Sequence, residues 1–192
     1  MLSKNNKVST EDAKKASHKL TQKLIDQGYA TSGFYEYTDK EGHPLFWRIR
    51  LDHPDKGKEI RPLSFNGSKW ILKEPKFPKG DKPLYRLHEI VSRLDEIVWI
   101  VEGEKCADAL AKLGLLATTS GSANSAEAAD WSDVAGRKVK IWPDNDNPGM
   151  KYAKEVTMEL YPFDNDVQWV DISKLKWSVR SDGSDGVDWI ML

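Results

Sequence analysis

The chain has 192 residues, enough for one sizeable domain or two small ones, with 39% hydrophobic and 31% charged residues and a net charge of −1. That balance fits a soluble globular protein on the polar side, and a lone cysteine, Cys106, excludes an internal disulfide framework and a cysteine-based zinc site, which the scattered His18, His43, His53 and His88 do not complete. No apolar run approaches transmembrane length, and MLSKNNKVSTEDAKK lacks the apolar core of a signal peptide, so a reducing cytoplasm is the expected location.

Residues 1–8 are polar and expected to fray. STEDAKKASHKLTQKLIDQGY then reads as a helix, with Ser9 or Thr10 as its cap, acids in its first turn and Gly28 at its end. Its apolar face is thin (Ala13, Ala16, Leu20, Leu24), so it must lean on another element. Residues 33–88 alternate aromatic or aliphatic residues with charged ones, punctuated by DKEG, DKGK and NGSK, the pattern of a β-meander with hairpin turns. KEPKFPKGDKP is an extended Pro/Lys-rich link.

From Glu96 the rhythm changes. EIVWIV is a buried strand by its continuous apolar run, EKCADALAKLG a helix ended by Gly114, and LLATTSG a short strand. NSAEAADWSDVAG is a loop carrying a short helix, KVKIWPD a strand, PGMKYAKEVTMELY a helix opened by Pro148, and DVQWVDI a last strand before an acidic tail. Alternating strands and helices predict a parallel sheet covered on both faces. The expected architecture is therefore α/β, preceded by a small α+β subdomain, with the boundary at 93/94.

Residues 1–95 carry 19 Lys+Arg against 13 Asp+Glu, and residues 96–192 carry 10 against 17. A basic half joined to an acidic half suggests a polyanion on the first and a metal ion in the second. In parallel sheets, sites lie at the carboxyl ends of strands. There VWIVEGEK places Glu102, and IWPDNDNPG places Asp144 and Asp146, whose side chains share a side if the backbone stays extended. Carboxylates gathered in one place repel each other unless a cation joins them. Hard oxygen ligands suit Mg²⁺ or Mn²⁺, ions that usually serve phosphates. Taken singly, the Asp-Asn-Asp segment is a turn and Glu-Gly a loop.

IVEGEKCADAL followed by IWPDNDNPGMKYA resembles the Toprim domain, the topoisomerase–primase catalytic module. Its pattern is Glu-Gly after one strand, matched by Glu102-Gly103, and Asp-x-Asp with a later Gly after another, matched by Asp144, Asp146 and Gly149; Gly121 is similar to the small-residue turn of the middle strand. The resemblance covers roughly 97–189 and is nearest to primases of phages, plasmids and integrated elements, which PLYRLHEI and the aromatic, basic hairpins also resemble. It implies a Toprim catalytic domain over 94–192, using Mg²⁺ or Mn²⁺ and acting on single-stranded DNA template and nucleoside triphosphates, with a replicative helicase as a further partner. It also implies Asp185 of the tail as a third metal-facing Asp, with Asp188 second; the other reading of the tail is a solvated acidic end. The zinc module and the P-loop helicase that accompany many such primases have no motif here. The chain ends almost where the Toprim fold ends, so it is expected to be a fragment or a small protein that relies on partners.

The basic half, 1–93, is expected to bind nucleic acid through phosphate attraction and base stacking. In FWRIR, Trp47 and Ile49 face one way and Arg48 and Arg50 the other, so one face is expected to be core and the other a basic strip. Trp47 and Trp70 serve either as core or as stacking surfaces. Arg86 and His88 stand at the Toprim entry, and Lys105 either meets a phosphate at its helix N-terminus or is a plain surface lysine. In the primase reading Asp144, Asp146 and Asp185 hold metal, and Glu102 completes the metal site or acts as general acid/base; Glu104 adds to the site or pairs outward. The same acids would serve a Toprim nuclease, and a non-catalytic binding module would not need them.

Overall fold

In the computed structural model, which describes residues 8–174, the first element is the helix that Ser9 and Gly28 delimit. Helix α1 spans Thr10–Ile25, and the Ser9 hydroxyl accepts a hydrogen bond from the Asp12 amide at 3.1 Å. Gly28 adopts φ +95°, and its amide donates to the Ile25 carbonyl. The buried stripe of α1 runs Ala13, Ser17, Thr21, not through Ala16 and Leu20 as expected. Ser17 and Thr21 can face inward because their hydroxyls donate to the Lys14 and Ser17 carbonyls, both at 2.8 Å.

Strands β1 (Ala30–Thr38), β2 (Pro44–His53), β3 (Gly57–Phe65) and β4 (Trp70–Ile71) form an antiparallel sheet in sequence order. The expected hairpin turns fall where DKEG, DKGK and NGSK stand. Period-2 alternation sends Trp47, Ile49, Leu51 and Leu63 into one core with Ala13 and Tyr29. Arg48 and Arg50 point to the other face, but that face is not a solvated basic strip. It also carries buried Tyr35, Tyr37 and Phe46, and both arginines are half-buried. The meander ends at Ile71, short of residue 88.

The chain divides into two compact units, Met1–Lys76 and Phe77–Leu192. The sequence boundary at 93/94 differs because Leu84 and Ile90, with the short helix α2 (Leu87–Ser92), are built into the core of the second unit. Arg137 ties α2 down. Its guanidinium donates to the Ile90, Arg93 and Glu96 carbonyls at 2.9, 2.6 and 2.8 Å.

The second unit then runs β5 (Val98–Val101), α3 (Glu104–Lys112), β6 (Leu116–Thr118), two 3₁₀ turns, β7 (Lys138–Trp142), α4 (Asn147–Leu160) and β8 (Asp166–Trp169). The four strands are parallel, in the order β6-β5-β7-β8. The α/β architecture expected from the alternating pattern is the one observed. Val98, Ile100, Val139 and Ile141 fill the sheet's centre, with Trp131, Tyr152, Val156 and Leu160 packed on them. Among the described residues no helix is long and apolar enough to cross a membrane. Asp185 and Asp188 lie outside the described residues.

Candidate functional site

Strands β5 and β7 are neighbours, parallel, and in register to Val101 opposite Trp142. Glu102 is the next residue after Val101, and Asp144 comes two after Trp142, so the two acidic segments leave the sheet side by side. The chain steps from β5 to β6 on one side and then to β7 on the other. This reversal is a topological switch point, and the crevice outside the carboxyl ends of the two strands is where open parallel sheets bind ligands.

Glu102 is half-buried, and its Oε2 is withdrawn from solvent. Gly103 follows as the extended N-cap of α3, its carbonyl accepting from the Ala107 amide at 3.1 Å. Glu104, on the first turn, is only 5% exposed. Asp144 is half-buried beside Gly149. A Cβ on Gly149 would lie 2.6 Å from the Asp144 carbonyl oxygen and 2.8 Å from its N and Cβ. The glycine therefore lets the N-terminus of α4 close on the backbone that presents Asp144. Gly149→Ala is expected to destabilise the protein by about 1–3 kcal/mol, because backbone atoms must move to admit the methyl group; urea denaturation measures it.

Asp146 is the N-cap of α4, and its Oδ1 accepts from the Gly149 amide at 2.7 Å. One carboxylate oxygen is thus committed to the helix, which contributes about 1 kcal/mol. Asp146→Ala should lose that stability in a thermal melt, and Asp146→Asn, itself a good cap, should retain it. As a trio, the carboxylate oxygens of Glu102, Asp144 and Asp146 do not close to within 4.8 Å of one another. Hard carboxylate donors at adjacent strand ends still fit Mg²⁺ or Mn²⁺, because such ions keep several waters that bridge to the more distant ligands.

Among the described residues, the acid and imidazole group that does lie within 4.8 Å is Asp39, Glu41 and His43, in the turn between β1 and β2. Its geometry is that of the turn itself. Asp39 Oδ1 accepts from the His43 amide at 2.7 Å, and Asp39 Oδ2 lies 3.1 Å from His43 Nδ1.

The residues expected to meet nucleotide are engaged locally. Arg86 has φ +59°, unusual for a non-glycine residue, and donates to Asp108 at 3.2 Å and Glu89 at 2.6 Å. Tyr85 donates to the same Asp108 oxygen at 2.9 Å, and burial pushes its hydroxyl well above the usual tyrosine range. His88 is exposed, and Lys105 is half-buried on the first turn of α3. In the first unit Arg50 is paired with Asp52 at 3.0 Å, its side chain 13% exposed.

Sequence reasoning passed over a group of buried hydroxyls at the end of β6. Thr118, Thr119 and Ser120 are wholly buried, and Ser125 nearly so. Ser120 Oγ lies 2.8 Å from Ser125 Oγ and 2.9 Å from the Tyr152 hydroxyl of α4. Thr119 Oγ1 donates to the Glu102 carbonyl at 2.8 Å and accepts from the Gly121 amide at 2.9 Å. The available signal was a run of hydroxyl residues, TTSGSANS, directly after a short apolar strand.

No family model matches the chain, and no curated protein matches it. A solved chain described as the structure of the DnaG catalytic core is similar over 94% of this chain, with 20% identity and a TM-score of 0.48, and this chain spans 58% of that chain's length.

Proposed function

We propose that this chain is a Toprim-type, primase-like nucleotidyltransferase core that makes short primers on single-stranded DNA in the replication of a phage or mobile element. The observation that carries the proposal is the placement of Glu102 and the Asp144/Asp146 segment at the carboxyl ends of adjacent, in-register β5 and β7, at the switch point of the sheet. Asp144 and Asp146, with Asp185, are the residues to hold one or two Mg²⁺ or Mn²⁺ ions. Such ions supply charge stabilisation on a triphosphate and acidify a bound hydroxyl. Glu102 completes that ligand set or accepts the proton of the primer 3′ hydroxyl as its oxygen joins the α-phosphorus of the incoming nucleotide and pyrophosphate leaves. Lys105 and Arg86 are assigned to the triphosphate, Arg48 and Arg50 to template phosphates. Because Arg86 and Arg50 are already ion-paired, their use requires Asp108 and Asp52 to release them.

Labelled ribonucleotides and a single-stranded template, with Mg²⁺ or Mn²⁺, test the proposal. Primer-length products support it. Cleavage of the template without synthesis would assign the same acids to a nuclease. A non-catalytic binding role is favoured by one observation, the commitment of Asp146 Oδ1 to the helix cap. That role predicts that Glu102→Ala and Asp144→Ala leave the biological effect intact. Loss of the effect in both folded variants would exclude it.

A further inference from the structure

The buried hydroxyls at the end of β6 have more partners than packing alone requires. Thr119 is fully buried and stands where four segments meet. Its Oγ1 donates to the Glu102 carbonyl, at the exit from β5, and accepts from the Gly121 amide, which follows β6. Its own carbonyl accepts from the Tyr85 amide at 3.0 Å, and the neighbouring Thr118 hydroxyl donates to the Tyr85 carbonyl at 2.6 Å. The Tyr152 hydroxyl of α4 accepts from the Ser120 amide at 3.2 Å and contacts Ser120 Oγ. Tyr152 is wholly buried.

We infer that Thr119 is a positioning residue that fixes the Glu102 carboxylate through the Glu102 carbonyl. The physical reason lies in the geometry of the strand exit. Glu102 sits between the last paired residue of β5, Val101, and Gly103, the N-cap of α3. Gly103 contributes no side-chain cap, and glycine is the most conformationally free residue, so its own side chain does not restrain the turn out of β5. Displacement of the main chain at this exit would carry the Glu102 Cα, and the side chain on it, away from Asp144 on the neighbouring strand. The Thr119 bond removes that freedom. Threonine suits the task because its β-branched χ1 is stiff, and one hydroxyl can donate to a carbonyl while accepting from an amide. Loss of this donor would cost the partly buried carbonyl a hydrogen bond, so the contact is favoured.

The inference rests on the proposed metal-dependent site, so Mn²⁺ binding to the wild-type chain is measured first, by calorimetry or electron paramagnetic resonance. Thr119→Val keeps the shape and removes the hydroxyl; it is expected to weaken Mn²⁺ binding about tenfold, the equivalent of about 1.4 kcal/mol and so of roughly one hydrogen bond. Thr119→Ser keeps the oxygen and is expected to bind Mn²⁺ as the wild type does. Tyr152→Phe, which loosens the same network one step further away, is expected to weaken it about threefold. Wild-type affinity in folded Thr119→Val or Tyr152→Phe overturns the assignment. So does a loss in Thr119→Ser equal to that in Thr119→Val, because packing would then be the cause. If the wild-type chain binds no Mn²⁺, the primase-like reading fails on its own. The positioning role is then read from amide hydrogen exchange at Ala107, expected to be about tenfold faster in Thr119→Val and unchanged in Thr119→Ser; no acceleration overturns it.

Discussion

Asp144→Asn is expected to lower primer synthesis by about a thousandfold while leaving the fold intact. The substitution is nearly isosteric, so the strand end and the approach of Gly149 to the Asp144 backbone are preserved. What is lost is a negative charge at the point where β7 leaves the sheet beside Glu102. In the proposed mechanism the carboxylate acts by holding the cation that stabilises the phosphoryl group, and removal of one preorganised stabilising group of this kind costs about 10²–10³ in rate. The assay is primer extension at saturating Mg²⁺, paired with circular dichroism and a thermal melt. A variant with near wild-type synthesis would exclude Asp144 from the site. Asp146→Asn is the informative companion, because it separates the two duties of that side chain. Stability should hold through the amide cap, and synthesis should fall if the carboxylate also serves the ion.

Trp47→Ala should destabilise the first unit by about 3–5 kcal/mol in urea denaturation, a large part of the stability of a small unit. Trp47 is fully buried in the core that α1 makes with the sheet. Its ring stacks with Phe34, centroids 6.4 Å apart, and lies tilted against Trp70 at 5.4 Å. Its Nε1 donates to Glu36 Oε2 at 2.8 Å, and the Thr10 hydroxyl donates to the same oxygen. Removal therefore opens a cavity and also takes a donor from a partly buried carboxylate. The sequence left Trp47 between core and base-stacking roles, and its burial decides for core. If Trp47→Ala kept wild-type stability but lost binding to single-stranded DNA, this assignment would be wrong.

Element type was legible wherever one local rule dominated. The helix from Thr10, the meander with its turns and the alternating strands and helices of 96–169 all follow from periodicity, caps and turn residues acting over a few positions. Where a local rule met a tertiary one, the local rule gave way. Residues 84–88 read as the end of the meander, yet Leu84, Leu87 and Ile90 form a buried segment and helix α2, stabilised by Arg137 from 44 to 47 positions away. Leu20 reads as core and is 38% exposed, while Ser17 and Thr21 are buried because each hydroxyl bonds to its own helix.

By itself the sequence determined the kinds of element and the two acidic segments that end strands, because turn, cap and strand chemistry are written in neighbouring residues. Only the tertiary structure decided that β5 and β7 are partners, since strand order depends on crossovers that no local pattern specifies. That pairing sets Glu102 beside Asp144. The tertiary structure also assigned Asp146 a helix to cap, placed the Thr119 hydroxyl under the Glu102 carbonyl, and bound Arg86 to Asp108. Each is a contact between polar groups whose strength depends on burial and on partners distant in sequence, so it becomes defined only when the core around it closes.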